Sequence, residues 1–490
     1  MKKIGLLLLF MGALCGSAFA QEGFQLTRYA ESKKIDSPLL EKGIYVGQYE
    51  GLYCWIGDGR RHRKHVVLAD QNLEPLRRME LPESAVNFRV LTASIEDNHA
   101  SVLMVDEPDN RHTYVYKALV DLDSMRPVEG KQPLEVVDSF TYDRKDRCMV
   151  WAATSPNGHY TALISIVEYT ARKQYSARAM LMDGTLSTVW TKDYAMGSMD
   201  QLVVTDDGTL VTLGHELAYP ETHIVFNVLS KARADSYDVV VTCDPLRQLR
   251  LTGVVGRHAM AVGTFTPSGK DPEGDICGGV VGLSFDIDSA VMTGFTMRPF
   301  QNEDLNILYN KKTKKVQRSQ EVEMVSVIDA VSTTYGAVLA VGRNFREEEV
   351  ENNGTTSNLY RRQGIHLMAV DTLGRVTWVR NLRRDDIQKK NGDLLNVSML
   401  SRYGTTYIVK SERRDYPAEY EISKEAKEYT IGSKSNLVIY AINADGEVHK
   451  TVVEQKTPHN LLRCLLRPDD TIVALTADGS RKRLAELKIR

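Results

Sequence analysis

An all-β fold, a single β-propeller of eight blades, is what this sequence predicts, and three observations predict it. Short runs rich in Val, Ile, Tyr, Thr and Leu fill most of the 490 residues, punctuated by Gly, Asp, Asn and Pro. A hairpin cadence returns in "YKALVDLDSMRPVEG", "ARAMLMDGTLSTVWTKDY", "GIHLMAVDTLGRVTWVRNL" and "NLVIYAINADGEVHKTVVE". Each copy runs from an apolar strand through an Asp/Gly-type turn into a more polar strand. The turn residues have a mechanism: Asp and Asn bond their own backbone, and Gly accepts positive φ. Between these hairpins lies a second, more apolar kind, such as "LRLTGVVGRHAMAVGTF" and "LNVSMLSRYGTTYIVKSE". Inner plus outer hairpin makes a four-stranded antiparallel unit, and repetition of such units points to a propeller.

Taken in order, the chain opens with a targeting segment. Lys2 and Lys3 precede the apolar run "IGLLLLFMGALCG", and "AFA" ends at Ala20, so cleavage before Gln21 is expected. An alternative is a lipoprotein signal anchored at Cys15, although Leu14 stands where such signals carry a small residue. Either reading exports the protein, to the periplasm, the outer membrane or the exterior. No later run is long and apolar enough to predict a membrane helix. "FQLTRYA" (24–30) is a spare strand, and "ESKKIDSPLLEKG" reads as a short helix in the linker up to residue 42.

The propeller itself is expected over 43–490, with units at 43–82, 84–134, 146–194, 199–241, 249–300, 323–382, 395–454 and 461–490. "EVEMVSVIDAV" suits either period, but its β-branched residues favour strand. The last unit holds only three strands. Pairing it with the spare strand at 24–30 would close the ring and remove an open edge. Seven blades is the close alternative, because the stretch 222–241 is weakly marked; two stacked sandwiches is a further one.

"LMAVDTLGRVTW", ending at Trp378, resembles the repeat of the PQQ-like and WD40-like propellers: apolar strand, Asp, turn Gly, Trp. "MLMDGTLSTVW", ending at Trp190, is a looser copy, while Met297 and Val453 stand near the position in other units. The resemblance implies the architecture. Quinoproteins of that superfamily resemble one another in a vicinal Cys pair against the cofactor and carboxylates on calcium. This chain has no adjacent cysteines, so no cofactor is expected.

Composition narrows the function classes. The chain carries 62 basic and 64 acidic residues, a formal net charge of −2, which is no signature of a nucleic-acid binder. Beyond Cys15 the cysteines are Cys54, Cys148, Cys243, Cys277 and Cys464, widely spaced, without C-x-x-C. Neither a zinc site nor a dense disulfide framework follows, although one long-range bridge stays open. No G-x-S-x-G elbow and no H-E-x-x-H occurs. The acidic turns at Asp206–Asp207, Asp271–Asp275 and Asp469–Asp470 lack the calcium-loop spacing and read as ordinary turn residues. His215, His223, His258, His366 and His449 stand singly among strands. No catalytic, cofactor or metal residue is therefore assigned. A glycosidase would need two carboxylates drawn from distant blades, which spacing cannot reveal.

Two features do suggest contacts. The run "GDGRRHRKH" puts Arg60, Arg61, Arg63 and Lys64 together, a group able to grip a phosphate, sulfate or acidic glycan. "YNKKTKKVQR" (309–318) is a second basic run. In addition, with strands A to D counted outward from the ring centre, the long segments 57–65, 266–277, 301–322, 346–363, 383–394 and 413–435 all fall at B–C or D–A connections. Those emerge on one face, while the A–B and C–D turns on the other are short. The expected function is a binding or scaffold module that meets an envelope protein or glycan through the elaborated face. The alternative is a carbohydrate-active enzyme, a glycoside hydrolase or lyase, with carboxylates at the ring centre. Asp123-Ser124-Met125, Asp288-Ser289-Ala290, Asp371-Thr372-Leu373 and Asp470-Thr471-Ile472 also resemble a bacterial periplasmic O-glycosylation acceptor.

Overall fold

The computed structural model describes residues 26–489 except 32–42, 59–62, 71–72, 82–88, 108–111, 129–133, 139, 143–144, 148–149, 172–173, 197–198, 219–220, 271–273, 310–320, 351–355, 390–395, 414–428, 431–434, 454–459, 468 and 479–480. The expected signal cleavage at Ala20–Gln21, Cys15 and the short helix before Gly43 lie outside these residues, as do Arg60, Arg61, Cys148 and the core of the second basic run.

Eight antiparallel units, blades 1 to 8, are strung along the chain at 44–80, 89–138, 150–196, 201–242, 246–299, 325–389, 397–453 and 460–489. The weakly marked stretch near 222–241 is a complete pair of strands, Glu221–Leu229 and Ala234–Thr242. Blade 8 has three strands of its own. Its fourth is Leu26–Glu31, which pairs with Arg481–Ile489 in a ladder running from Leu26–Ile489 to Glu31–Ala485.

Alternation explains the packing. In strands B and C both faces are covered, so they read as continuous apolar runs such as "GVVGLSFD". Each apolar core lies between two neighbouring blades. Val211 and Phe226 of blade 4 meet Leu283 and Phe285 of blade 5, with the two phenyl rings stacked 4.3 Å apart. Tyr53 and Trp55 of blade 1 meet Val473 and Leu484 of blade 8, so the same packing runs across the junction of chain ends. Each fully buried Leu, Val or Phe contributes roughly 1.5–3 kcal/mol.

Outer strands are tied down by the turn chemistry of the repeat. Asp371 Oδ1 accepts the backbone N–H of Leu373 and of Arg375, both at 2.9 Å. Asp183 does the same for Thr185 and Ser187, and Asn443 for Asp445 and Glu447. The turn then rests on the blade before it: Ser284 Oγ donates to Thr372 O at 2.6 Å and Thr296 Oγ1 to Gly374 O at 2.7 Å. Trp378 lies against the Gly446 turn of blade 7, where a Cβ would come 2.8 Å from the indole. That close approach requires Gly at 446; the outer turn after the Trp190 blade, 230–233, has no glycine.

Inner strands are linked by side chains that reach backbone. The bulge at Gln248–Leu249 takes Leu249 O out of the ladder, and Gln201 of blade 4 donates to it. The same Gln201 accepts Leu251 N–H at 2.6 Å. The bulge at Leu462 is served likewise by Asn396 Nδ2 at 2.9 Å. Between them, Val327 N–H donates to Gln248 and Met399 N–H to Asp329. These bonds satisfy backbone groups that would otherwise be stranded at the ring centre.

Two differences from the sequence reading stand out. Segments 346–363 and 383–394 are largely strand, not loop: Gly336–Val350, Thr356–Asp371 and Val376–Lys389 are 15, 16 and 14 residues long. They run past the ring as a three-stranded flap, roughly 20 Å beyond the point where blade 6 was expected to end. The run "NFREEEV" has four consecutive charged residues, which suggested a loop; its strand character comes from the ladder it forms with 356–363. Segment 301–322 contains a helix, α1 (Asn302–Leu308), with Glu303 and Asp304 in its first turn.

Candidate binding face

The connections at B–C and D–A share one face of the ring, here called the helix face; the short A–B and C–D turns form the turn face. On the helix face, blades 5, 6 and 7 carry the additions. Ile276–Cys277, between strands B and C of blade 5, pairs with Val322–Glu323, just before blade 6. Leu305 and Leu308 of α1 are buried with Phe300, Val322 and Val325. Gly364 is in left-handed conformation (φ +64°), and a Cβ there would lie 2.8 Å from Ile307 O, so α1 sits directly on blade 6.

Asp304 is the fastening of that helix. Its Oδ2 accepts Arg298 Nη1 at 2.7 Å and the Gln301 backbone N–H at 2.8 Å. Its Oδ1 accepts Asn381 Nδ2 at 2.9 Å and lies 3.2 Å from His366 Nδ1. Burial opposes ionisation of Asp304, but the hydrogen bond and charge of His366, with the hydrogen bonds from Arg298 and Asn381, outweigh it and hold the carboxyl well below the ordinary range. Asp304 and His366 are both closed to solvent. An Asp–His pair so placed joins blades 5 and 6 and has no route to a substrate.

The flap is fixed at its root by Arg343. Its Nη1 donates to Gln363 Oε1 at 2.7 Å, its Nε to Glu323 O at 3.1 Å, and its guanidinium lies 4.5 Å from the Tyr309 ring centre. Further out, Arg361 pairs with Glu347 at 2.8 Å, and Arg346 is exposed.

Beside the flap, blades 6 and 7 enclose a charged cluster. Arg384 pairs with Asp386 at 2.8 Å. Lys410 donates to Arg383 O and pairs with Glu412, both at 3.1 Å. Glu412 also accepts Tyr440 OH at 2.5 Å and pairs with Lys450 at 2.6 Å. Burial pushes the Glu412 carboxyl up, but Lys410, Lys450 and Tyr440 reverse this and bring it down to about 2. Asp385 goes the other way: burial first, and the charge of neighbouring Asp386 second, push it up to about 7. Asp386 Oδ1 is buried without a partner among the described residues.

The residues singled out in the sequence fall as follows. Arg63 and Lys64 lie on the helix face at the B–C end of blade 1; Arg63 is exposed and paired with Glu80, and Lys64 begins a strand. His215 and His223 each pair with one carboxylate, Asp200 and Asp238. His258 lies near Ser284 Oγ. Among the described residues no three His, Cys, Asp or Glu side chains are grouped to hold a metal. Cys54, Cys243, Cys277 and Cys464 are free thiols, three of them buried. The Asp304 network and the flap cluster carried no motif, since their members are distant in sequence. The one legible trace was "QNEDLNIL", an acidic first turn before an apolar helix face.

The chain is thus an eight-bladed β-propeller with one elaborated face. No helix among the described residues is long and apolar enough to cross a membrane. No family model matches the sequence, and no curated protein resembles it. Solved structures do align along most of its length. A polysaccharide lyase aligns at 9% identity and TM-score 0.38, covering 95% of this chain and 99% of the other. The WD40 domain of SCAP from fission yeast aligns at 7% and 0.36, covering 95% and 98%. The β-propeller domain of the Trilobed protease from Pyrococcus furiosus aligns at 11% and 0.28, covering 70% and 94%. The fold assignment rests on the strand ladders above.

Proposed function

We propose that the protein is an exported binding or scaffold module, with residues 1–20 as signal, 21–42 as closing strand and linker, and 43–490 as propeller. It works in the periplasm or at the outer membrane and meets an envelope protein or glycan through the helix face. The observation that carries this is the fastening of α1 and the flap onto two adjacent blades, 5 and 6. Arg298, Asp304, His366, Asn381 and Arg343 hold projecting elements rigid, and rigid projections are what recognition needs. Arg63 and Lys64, with Arg60 and Arg61 on the same connection, would add attraction for an acidic partner. The PQQ-like likeness of 367–378 is kept as a likeness of repeats, without a cofactor.

Tagged protein purified from the native envelope, followed by mass spectrometry, tests this. A stable partner that is lost from an Arg63→Glu/Arg346→Glu variant, but kept by Lys231→Ala in the exposed outer turn of blade 4 on the turn face, supports the reading. A partner lost only from the turn-face variant moves the interface. No partner, together with glycan cleavage by the purified protein, replaces the scaffold with the carbohydrate-active enzyme.

A further inference from the structure

The turn face carries a cleft of its own, between blades 6 and 7, of about 230 Å³. Two aromatic rings wall it. Tyr335 stands at the tip of the A–B turn of blade 6, 59% exposed. Trp378, on the outer strand of that blade, is 8% exposed. Both rings are held against bare turn backbone of blade 7. A Cβ at Gly404 (φ +78°) would lie 2.6 Å from the Tyr335 ring, and one at Gly446 (φ +79°) would lie 2.8 Å from Trp378. Arg380 Nε also donates to Gly446 O at 2.5 Å, fixing that turn beneath the indole. The cleft is therefore preformed, shaped by two glycines that let two rings lie flat.

Its chemistry is narrow. Among the described residues no charged side chain lines it, which disfavours phosphate, sulfate, uronate and metal ions. Its volume is below the range of pockets for drug-sized ligands, so it accommodates about one ring. The lining is not purely apolar. Thr333 and Thr377 contribute hydroxyls at its rim, and the indole N–H of Trp378 makes no hydrogen bond to another described residue. A ring with one apolar face and hydroxyls at its rim matches aromatic walls with hydroxyl and N–H groups between them; a hydrocarbon ring would leave those groups unmatched. We infer that the Tyr335–Trp378 cleft is a subsite for one neutral pyranose ring of a glycan. The exposed Tyr403, 76% accessible, with the Arg402 guanidinium 4.6 Å from its ring centre, extends the aromatic surface toward blade 8 for a neighbouring sugar unit. This site lies on the opposite side of the ring from the helix face and stands whether or not that face binds a partner.

Saturation-transfer NMR on the full chain tests it. The probes are glucose, mannose, galactose and N-acetylglucosamine with their linear trimers, and N-acetyltyrosinamide as a protein side-chain mimic. Binding of at least one neutral sugar is expected, with Kd on the order of millimolar for one ring and tighter for the trimer. Tyr335→Ala is expected to weaken it about tenfold and Tyr335→Phe no more than about twofold. Gly404→Ala, which displaces the Tyr335 ring, should act like Tyr335→Ala. Thermal melts establish that each variant is folded, and Tyr335, at an exposed tip, carries the test if Gly404→Ala does not fold. No transfer to any sugar, binding of N-acetyltyrosinamide alone, or sugar binding unchanged in Tyr335→Ala would each overturn the subsite.

Discussion

Tyr29 stands directly opposite Leu487 in the antiparallel ladder that joins the start of the described chain to its end. That pairing makes eight separate sheets into a closed ring, because blade 8 has no outer strand of its own. Removing residues 1–31 would leave the edge of 481–489 open and uncover Leu487 and Ile489, both now buried. The expected loss is roughly 3–5 kcal/mol. Self-association through the free edge is expected with it. Urea unfolding and sedimentation check both, and a peptide of residues 24–31 added in trans should restore the monomer.

Asp304 predicts the acid limb of stability. Its folded pKa lies below its unfolded value, so its contribution is complete above the unfolded pKa, about 3.9, and is lost as pH falls further. Asp304→Asn should remove that limb and cost about 2–3 kcal/mol at neutral pH, by taking the charged acceptor from the partly exposed Arg298 and from the Gln301 backbone N–H. Melting temperatures from pH 2 to 7 show it; an unchanged acid limb would contradict the assignment.

Asp385 predicts a slope of opposite sign. Its folded pKa, about 7, lies above its unfolded value, so the folded chain holds the extra proton between about pH 4 and 7. Stability from this group therefore falls as pH rises through that window. Asp385→Asn should flatten the fall and raise stability more at pH 8 than at pH 5. Chemical denaturation at the two pH values measures the difference.

Gln201 holds blade 4 to blade 5 by two bonds to backbone, one to Leu249 O and one from Leu251 N–H. Gln201→Ala strands both groups and should cost about 2–4 kcal/mol. Hydrogen exchange should speed up first in 246–255.

Asp371 tests the repeat itself. Asp371→Ala removes two bonds to turn N–H groups and the partner of Arg375 and should cost about 1–2 kcal/mol. Asp445→Ala, in the turn of the next blade, leaves the equivalent turn carbonyl acceptor, Asn443, in place and should cost less than about 0.5 kcal/mol. Paired urea titrations separate the two.

The architecture was legible because its signals are local. The Asp-to-Gly cadence at "DTLGR" and "NADGE" marks the outer hairpins, and each is realised as a turn closed by that Asp or Asn. The unpaired strand at 24–30 and the three-stranded last unit told of a closure the ladder at Leu26–Ile489 contains. The flap was misread because "NFREEEV" looks like solvated loop until its partner strand is known, and α1 because seven residues give too little period. The Asp304 network was not legible at all: Arg298, Asp304, His366 and Asn381 span 83 positions and form no spacing a motif could describe.

By itself, then, the sequence determined that the chain is all-β, where its repeat turns fall and how the ring shuts, and it favoured eight blades over seven. These follow from alternation, turn chemistry and the count of strands, which act over a few residues. Tertiary structure alone decided which charges are buried together, that blade 6 rises above the ring, and that Tyr335 and Trp378 share a cleft. Each of those depends on which strands the folded ring sets side by side, a relation between distant segments that no local pattern encodes.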